Sequence, residues 1–311
     1  MTEFDNPESE SSETIQTTKL EIITDDAIKL GATYFINPKK SAKRAIMIAG
    51  ATAVPQRFYA NFAKYLAAHD CAVLTFDYRG VGDSRPPGGL KNFQATLIDW
   101  GQSDTPACLN WLIDRHPDVP LHLVGHSAGG QFIGLWPNFG KLQSAFLVSC
   151  SSGYVPGLTH SSKIKALFLF KIYEPVCTLL FGYVPGKKIG LGEDLPVGVV
   201  QQWAKWCLNR GYVENSFGKE IASHFYNEVT LPTLVVTPSD DQIATQFNVA
   251  DFMRLLPHAK IEHLTLQPEK FDLKTIDHLN FFRRQSLILW PFATAWFSKS
   301  EDTIDQKPES S

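Results

Sequence analysis

The chain is poor in the features that would tie it to a metal, a nucleic acid, the secretory route or the interior of a membrane. Its five cysteines, Cys71, Cys108, Cys150, Cys177 and Cys207, are odd in number and scattered among apolar and aromatic neighbours. No two have metal-ligand spacing, and the pattern is not a disulfide framework, so they read as buried thiols of a reducing compartment. Neither sign of charge dominates. With 29 Lys and Arg against 32 Asp and Glu the net charge is -3, which gives no reason to expect nucleic acid as a partner. Residues 1–13 are acidic and serine-rich, without the basic and apolar regions of a signal peptide. A cytoplasmic location is the expectation. A long hydrophobic run is also missing: the greasiest stretch, 166–184, is broken by Lys171, Glu174 and Pro175, whereas a span needs about 20 mostly apolar residues. Stable membrane insertion is not expected.

What is present is ample core material, 44% hydrophobic residues, arranged in alternating strand and helix patterns. Residues 19–24 and 28–36 read as a hairpin around Asp25-Asp26, followed by an apolar strand at 45–49, a helix at 56–69 and a second apolar strand at 72–78. The pattern repeats with a helix at 93–114, a strand at 121–124, a helix after Ser127 and a strand at 144–149. Strands of unbroken apolar character belong to parallel sheets covered on both faces, so the fold class is α/β with a doubly wound, mostly parallel sheet. From 153 to 229 the alternation fails and aromatic-rich helical segments at 164–183 and 199–208 take over. The strand pattern returns at 232–237 and 260–266, with helices near 247–256 and 285–298. The expected organisation is a core of 19–152 and 230–299, a helical cap at 153–229, and disordered tails at 1–18 and 300–311, which are too polar to order themselves.

The most specific stretch is Leu121-His122-Leu123-Val124-Gly125-His126-Ser127-Ala128-Gly129-Gly130, an apolar strand running into Gly-x-Ser-x-Gly and then a helical pattern. This is the signature of a nucleophile elbow, in which small residues on either side let a serine sit on a strained strand-to-helix turn. A serine hydroxyl is a weak nucleophile at neutral pH; it needs an imidazole to take its proton and a carboxylate to orient that imidazole. In a doubly wound sheet such groups collect in loops at the carboxyl ends of strands. The loop after 233–237 carries Asp240 and Asp241, and the loop after 260–266 carries His278. The chain order Ser, Asp, His is the one expected for this type of elbow.

With Gly125-His126-Ser127-Ala128-Gly129, the stretch Phe76-Asp77-Tyr78-Arg79-Gly80-Val81-Gly82-Asp83-Ser84 and the loop Asp240-Asp241-Gln242-Ile243, residues 19–298 resemble α/β-hydrolases of the serine aminopeptidase, monoacylglycerol lipase and esterase-like branch. The resemblance implies a soluble serine hydrolase that cleaves an ester or related acyl bond through an acyl-enzyme. It makes Asp241 the acid, with Asp240 the fallback, and puts the oxyanion-hole amides at Ala51 and Ala128. The family's usual His-Gly before the first of these is replaced by Ala49-Gly50. No metal and no organic cofactor are implied, since a triad supplies nucleophile and acid/base by itself. The expected partner is a small, apolar acyl substrate. An acyltransferase with the same triad, or a ligand-binding protein without catalysis, are the rival readings.

Other residues have structural readings. His126 is expected to pack or hydrogen-bond beside the nucleophile, His258 and His263 to be structural, and 77–84 to be a loop held by Arg79 and Asp83. In the cap, Phe168, Phe170, Tyr173, Leu179, Leu180, Phe181, Trp203 and Trp206 read mainly as core of the lid. Two sharper alternatives are the wall of an apolar pocket and, because Lys163, Lys165 and Lys171 accompany the aromatics, a membrane-surface role.

Overall fold

β-Branched and apolar residues in runs of five to eight generate the strands, and their alternate side chains decide the layers. In β3 (Arg44–Ala49) Ala45, Met47 and Ala49 point to one face of the sheet, and Ile46 and Ile48 to the other. The computed structural model describes residues 14–305. Eight strands form one sheet in the order β1-β2-β4-β3-β5-β6-β7-β8, comprising β1 (Gln16–Ile23), β2 (Lys29–Ile36), β3, β4 (Cys71–Phe76), β5 (Leu121–His126), β6 (Ser144–Val148), β7 (Pro232–Pro238) and β8 (Lys260–Leu266). β1 and β2 pair antiparallel and β2 joins β4 antiparallel; every pairing from β4 to β8 is parallel. The mostly parallel, doubly wound sheet is therefore as expected. The fully buried β4, β5 and β6 lie inside it and the more exposed β1 and β8 at its edges.

On one face α1 (Ala60–Ala68) contributes Phe62 and Leu66, and α9 (Pro291–Asp305) contributes Trp296 and Phe297. On the other lie α2 (Leu97–Asp99), a π-helical turn at Trp100–Asp104, α3 (Thr105–Arg115), α4 (Ala128–Gln131) and α8 (Gln246–Met253). Between β6 and β7 the chain forms α5 (His160–Phe168), a second π-helical stretch (Leu169–Tyr173), α6 (Glu174–Phe181) and α7 (Val197–Leu208). Val199, Val200 and Trp206 of α7 continue the same apolar cluster, each such side chain contributing about 1.5–3 kcal/mol when fully buried.

Several boundaries differ from expectation. The helix expected from Phe93 starts at Leu97, because Thr96 and Asp99 form a capping box: Asp99 N–H donates to Thr96 Oγ1 and Thr96 N–H to Asp99 Oδ2. α4 is only four residues long, as suits the adjacent Gly129 and Gly130, which are poor helix formers. Of the expected tails, residues 1–13 and 306–311 lie outside the described residues, but the parts nearer the core are ordered. β1 begins at Gln16, where Thr17 and Thr18 pair with Phe35 and Tyr34. The final helix, expected at 285–298, begins instead at Pro291, whose fixed φ and missing N–H suit a first turn, and continues to Asp305. Glu301 holds it there, accepting from Arg44 Nη2 at 2.8 Å and from His122 Nε2 at 2.8 Å, while Ser300 Oγ lies 3.0 Å from Ser144 Oγ. The five cysteines are buried thiols, as expected from their neighbours.

Candidate active site

Ser127 stands where β5 gives way to α4, at φ 49° and ψ -119°. An L-residue in this region is strained by about 1–3 kcal/mol, and close packing around the turn enforces it. A Cβ at Gly129 would lie 2.0 Å from the Ala49 carbonyl oxygen, and one at Gly125 would lie 2.5 Å from Gly130 Cα. The two glycines of the motif are thus required by contact, and Ser127 is left partly accessible at the strand end.

The acid and the imidazole meet across two other strand ends. Asp241, just beyond β7, accepts from the amides of Ile243 and Ala244 at 2.8 and 2.9 Å through Oδ1, and its Oδ2 lies 2.8 Å from His278 Nδ1. Burial works against the Asp241 charge, but His278 and the two amides outweigh it and hold the carboxyl down at about 2. Burial also disfavours the His278 cation, yet the facing Asp241 raises its pKa above the ordinary value. Because Nδ1 faces a carboxylate, it carries the proton and Nε2 is left as the basic nitrogen.

Asp240, the fallback, does something else. It accepts from Thr275 Oγ1 at 2.6 Å and from the amides of Ile276 and Asp277 at 3.0 Å each. The neighbouring carboxylates therefore divide their work: Asp240 holds the backbone of the histidine loop and Asp241 faces the ring. Asp277 takes the left-handed conformation, at φ 53°, immediately before His278.

A buried network lies beneath the elbow, centred on His126, which was expected to hydrogen-bond there, with links to Tyr59 and Ala51 that were not anticipated from sequence. His126 Nε2 donates to the His278 carbonyl at 2.8 Å, Tyr59 Oη donates to His126 Nδ1 at 2.8 Å, and the Ala51 amide donates to Tyr59 Oη at 2.9 Å. Burial pushes His126 down to about 3, so it is neutral and this proton arrangement is the one the carbonyl demands. The expected oxyanion donors thus differ. Ala128 opens α4, where first-turn amides have no intrahelical acceptor, whereas the Ala51 amide is already engaged by Tyr59. The Ala51 amide, one of the two expected oxyanion donors, is therefore engaged by Tyr59 Oη in this structure. Nothing local in the sequence marks Tyr59, which resembles any aromatic at the start of a helix.

The 77–84 loop is structural, with one change of anchor. Asp77 accepts from the Gln56 and Asp83 amides at 2.7 and 2.8 Å, and Arg79 pairs with Asp104 at 2.7 Å and Asp26 at 2.6 Å. The Asp83 carboxylate points outward to Lys19 at 3.0 Å; only its amide holds the loop. His263 lies 3.1 Å from Thr237 Oγ1 across β7 and β8, and His258 is exposed in the turn before β8.

The segment between β6 and β7 is tied to the loops that carry these residues. The Glu193 amide donates to Ala53 O at 2.8 Å beside Ala51, and its buried carboxylate pairs with Arg57 at 2.6 Å and Lys187 at 2.8 Å. Ser161 Oγ donates to Gln242 Oε1 at 2.8 Å next to Asp241, and Thr245 Oγ1 to Gly157 O at 2.8 Å. The aromatic stripe divides. Phe170 and Trp206 are buried, but Phe168, Leu179, Leu180 and Phe181 are exposed, so for these four the lid-core reading is corrected: no second layer covers that side of the helices among the described residues.

Residues 46–137 match the family model for the α/β-hydrolase fold. No curated protein matches the chain by sequence. Among solved structures, a soluble variant of monoglyceride lipase from Saccharomyces cerevisiae is similar with a TM-score of 0.67 and 15% identity, covering 92% of this chain and 97% of that one. An esterase from Pyrococcus furiosus is similar with a TM-score of 0.59 and 13% identity over 93% and 92% of the two chains. A thermostable carboxyl esterase from Bacillus coagulans gives 0.53 and 13% over 80% and 90%. The chain has the α/β-hydrolase fold.

Proposed function

We propose that the protein is a serine esterase acting on small, apolar acyl substrates. The observation that carries this reading is the Asp241–His278 pair at the ends of neighbouring strands, in the same sheet whose elbow holds Ser127 in a left-handed turn. Ser127 Oγ attacks the acyl carbon while His278 Nε2 takes its proton, and Asp241 keeps the ring in the required tautomer. The amide of Ala128, joined by that of Ala51 once Tyr59 shares or yields it, holds the oxyanion. His278 then returns the proton to the leaving alcohol. Water, deprotonated by the same nitrogen, hydrolyses the acyl-enzyme and regenerates Ser127. Residues 153–229 act as a lid over these loops, tethered through Glu193 and Gln242, and set which acyl chain fits. The esterase and lipase named among the similar structures are consistent with ester chemistry.

Ser127→Ala tests the reading. Hydrolysis of short p-nitrophenyl esters is expected to fall on the order of a thousandfold or more, and a fluorophosphonate probe is expected to label the wild type at Ser127 and leave the variant unlabelled. Retained hydrolysis would remove Ser127 as nucleophile. Tight ligand binding with neither labelling nor turnover would favour a binding protein, and product analysis with alcohol acceptors would reveal an acyltransferase.

A further inference from the structure

One surface is not used by this chemistry. Along α5, the π-helical stretch and α6, Ile164, Phe168, Ile172 and Val176 recur every four residues and are all exposed, and Leu179 and Leu180 extend them. Leu179 is 85% and Leu180 66% exposed, far more than an isolated surface apolar residue needs, and a contiguous exposed apolar face marks an interaction site.

The charge on the same segment is one-sided. Between residues 160 and 181 stand Lys163, Lys165 and Lys171 against a single acid, Glu174, in a chain whose net charge is negative, while Lys187 and Lys188 beyond them are followed by Glu193 and Asp194. Glu174 is turned inward, accepting from Thr178 Oγ1 at 2.8 Å and Gln201 Nε2 at 3.0 Å. Lys187 is paired with Glu193, Lys165 and Lys171 are exposed, and Lys188 lies over the Phe181 ring at 5.3 Å.

From this pairing of an apolar face with an unbalanced basic segment we propose that α5 and α6 dock the protein on an anionic phospholipid surface, lying in the interface without crossing it. Among the described residues no helix is long and apolar enough to cross a membrane. An amphipathic helix binds such a surface by burying its apolar face at the headgroup boundary and placing its lysines against the lipid charge. A second copy of this chain fits the face poorly, because two-fold self-association would bring the same lysines against each other. Docking here sets the strand-end loops, to which the segment is tied through Gln242 and Glu193, beside the membrane.

The surface does not depend on the esterase reading, since binding is measured without turnover and the Ser127→Ala protein is expected to bind as the wild type does. The full-length protein is sedimented with vesicles of phosphatidylcholine alone and of phosphatidylcholine with phosphatidylglycerol. Binding is expected to the anionic vesicles and to weaken at high salt. Leu179→Asp with Leu180→Asp is expected to lower partitioning about tenfold or more, and Lys165→Glu with Lys171→Glu about fivefold or more per residue. Both pairs are exposed, and circular dichroism checks that each variant is folded. Failure of the wild type to sediment with anionic vesicles overturns the proposal, as does binding that neither double variant weakens. A dimer in equilibrium sedimentation that Leu179→Asp with Leu180→Asp dissociates, without vesicle binding by the wild type, overturns it in favour of self-association.

Discussion

His126 Nε2 donates to the backbone carbonyl of His278 at 2.8 Å, so the residue preceding the elbow serine supports the backbone that carries the imidazole. The same ring accepts from Tyr59 on its other nitrogen. His126→Phe removes both bonds and leaves buried polar groups without partners, at a cost of about 1–3 kcal/mol. Urea titration is expected to show that loss, and ester kinetics a fall in kcat with KM little changed. Unaltered kcat would reduce His126 to a packing role.

The titration of the Asp241–His278 pair gives a pH signature. The proposed base works when neutral and its folded pKa is raised above 6.5, so the acid limb of kcat/KM is expected to be centred above that value. Asp241→Asn is expected to shift the limb downward and lower kcat on the order of 10⁴-fold. For stability the signs differ. The raised His278 pKa contributes fully below 6.5 and is lost as pH rises through its folded value, while the depressed Asp241 pKa contributes above 3.8 and is lost as pH falls toward about 2. The stability gap between wild type and Asp241→Asn in thermal melts is therefore expected to be widest between 3.8 and 6.5.

Asp240 offers a control one residue away. Asp240→Ala frees the backbone of 275–277 without touching the ring, and a displaced base costs about 10²-fold, expected mainly in kcat. Unlike Asp241→Asn, it leaves the position of the acid limb unchanged, because the charge facing His278 remains. A limb that moved in the Asp240 variant would assign it a direct electrostatic role.

Removing residues 300–311 tests the lock at the end of α9. His122 loses its acceptor and Arg44 its ion-pair partner, keeping only the Ser298 hydroxyl, and thermal melts are expected to show a loss of about 1–3 kcal/mol. Burial opposes the Glu301 charge, but His122 and Arg44 outweigh it and lower its pKa, so the lost stability is present above 4.5 and fades as pH falls through the folded value. Ester hydrolysis at room temperature is expected to persist, since Ser300 and Glu301 contact β3, β5 and β6 and not the loops that carry Asp241 and His278.

Much of the candidate site was legible because the chemistry proposed for it rests on local patterns. Ser127 follows from two glycines at fixed spacing after an apolar strand, and Asp241 and His278 from loops that end later strands. The choice between Asp240 and Asp241 was not local: adjacent residues differ only in which way the turn aims them. Tyr59 was invisible for the same reason, since its bonds join the nearby loop at Ala51 to His126, which is far away in sequence. The cap was the least legible part. Periodicity identifies Phe168, Phe170, Leu179 and Trp206 as apolar faces of helices, but not which faces find a neighbour.

The sequence by itself determined the alternation of strands and helices, the sheet they form and the elbow at its centre, because strand and helix periods, glycine clearance and turn chemistry act over a few residues. The tertiary structure decided which carboxylate faces His278, that Tyr59 is joined to His126, that Ser300 and Glu301 close onto β3, β5 and β6, and that one side of α5 and α6 remains bare. Those outcomes depend on contacts between segments far apart in the chain, whose energies exist only once the sheet has brought the segments together.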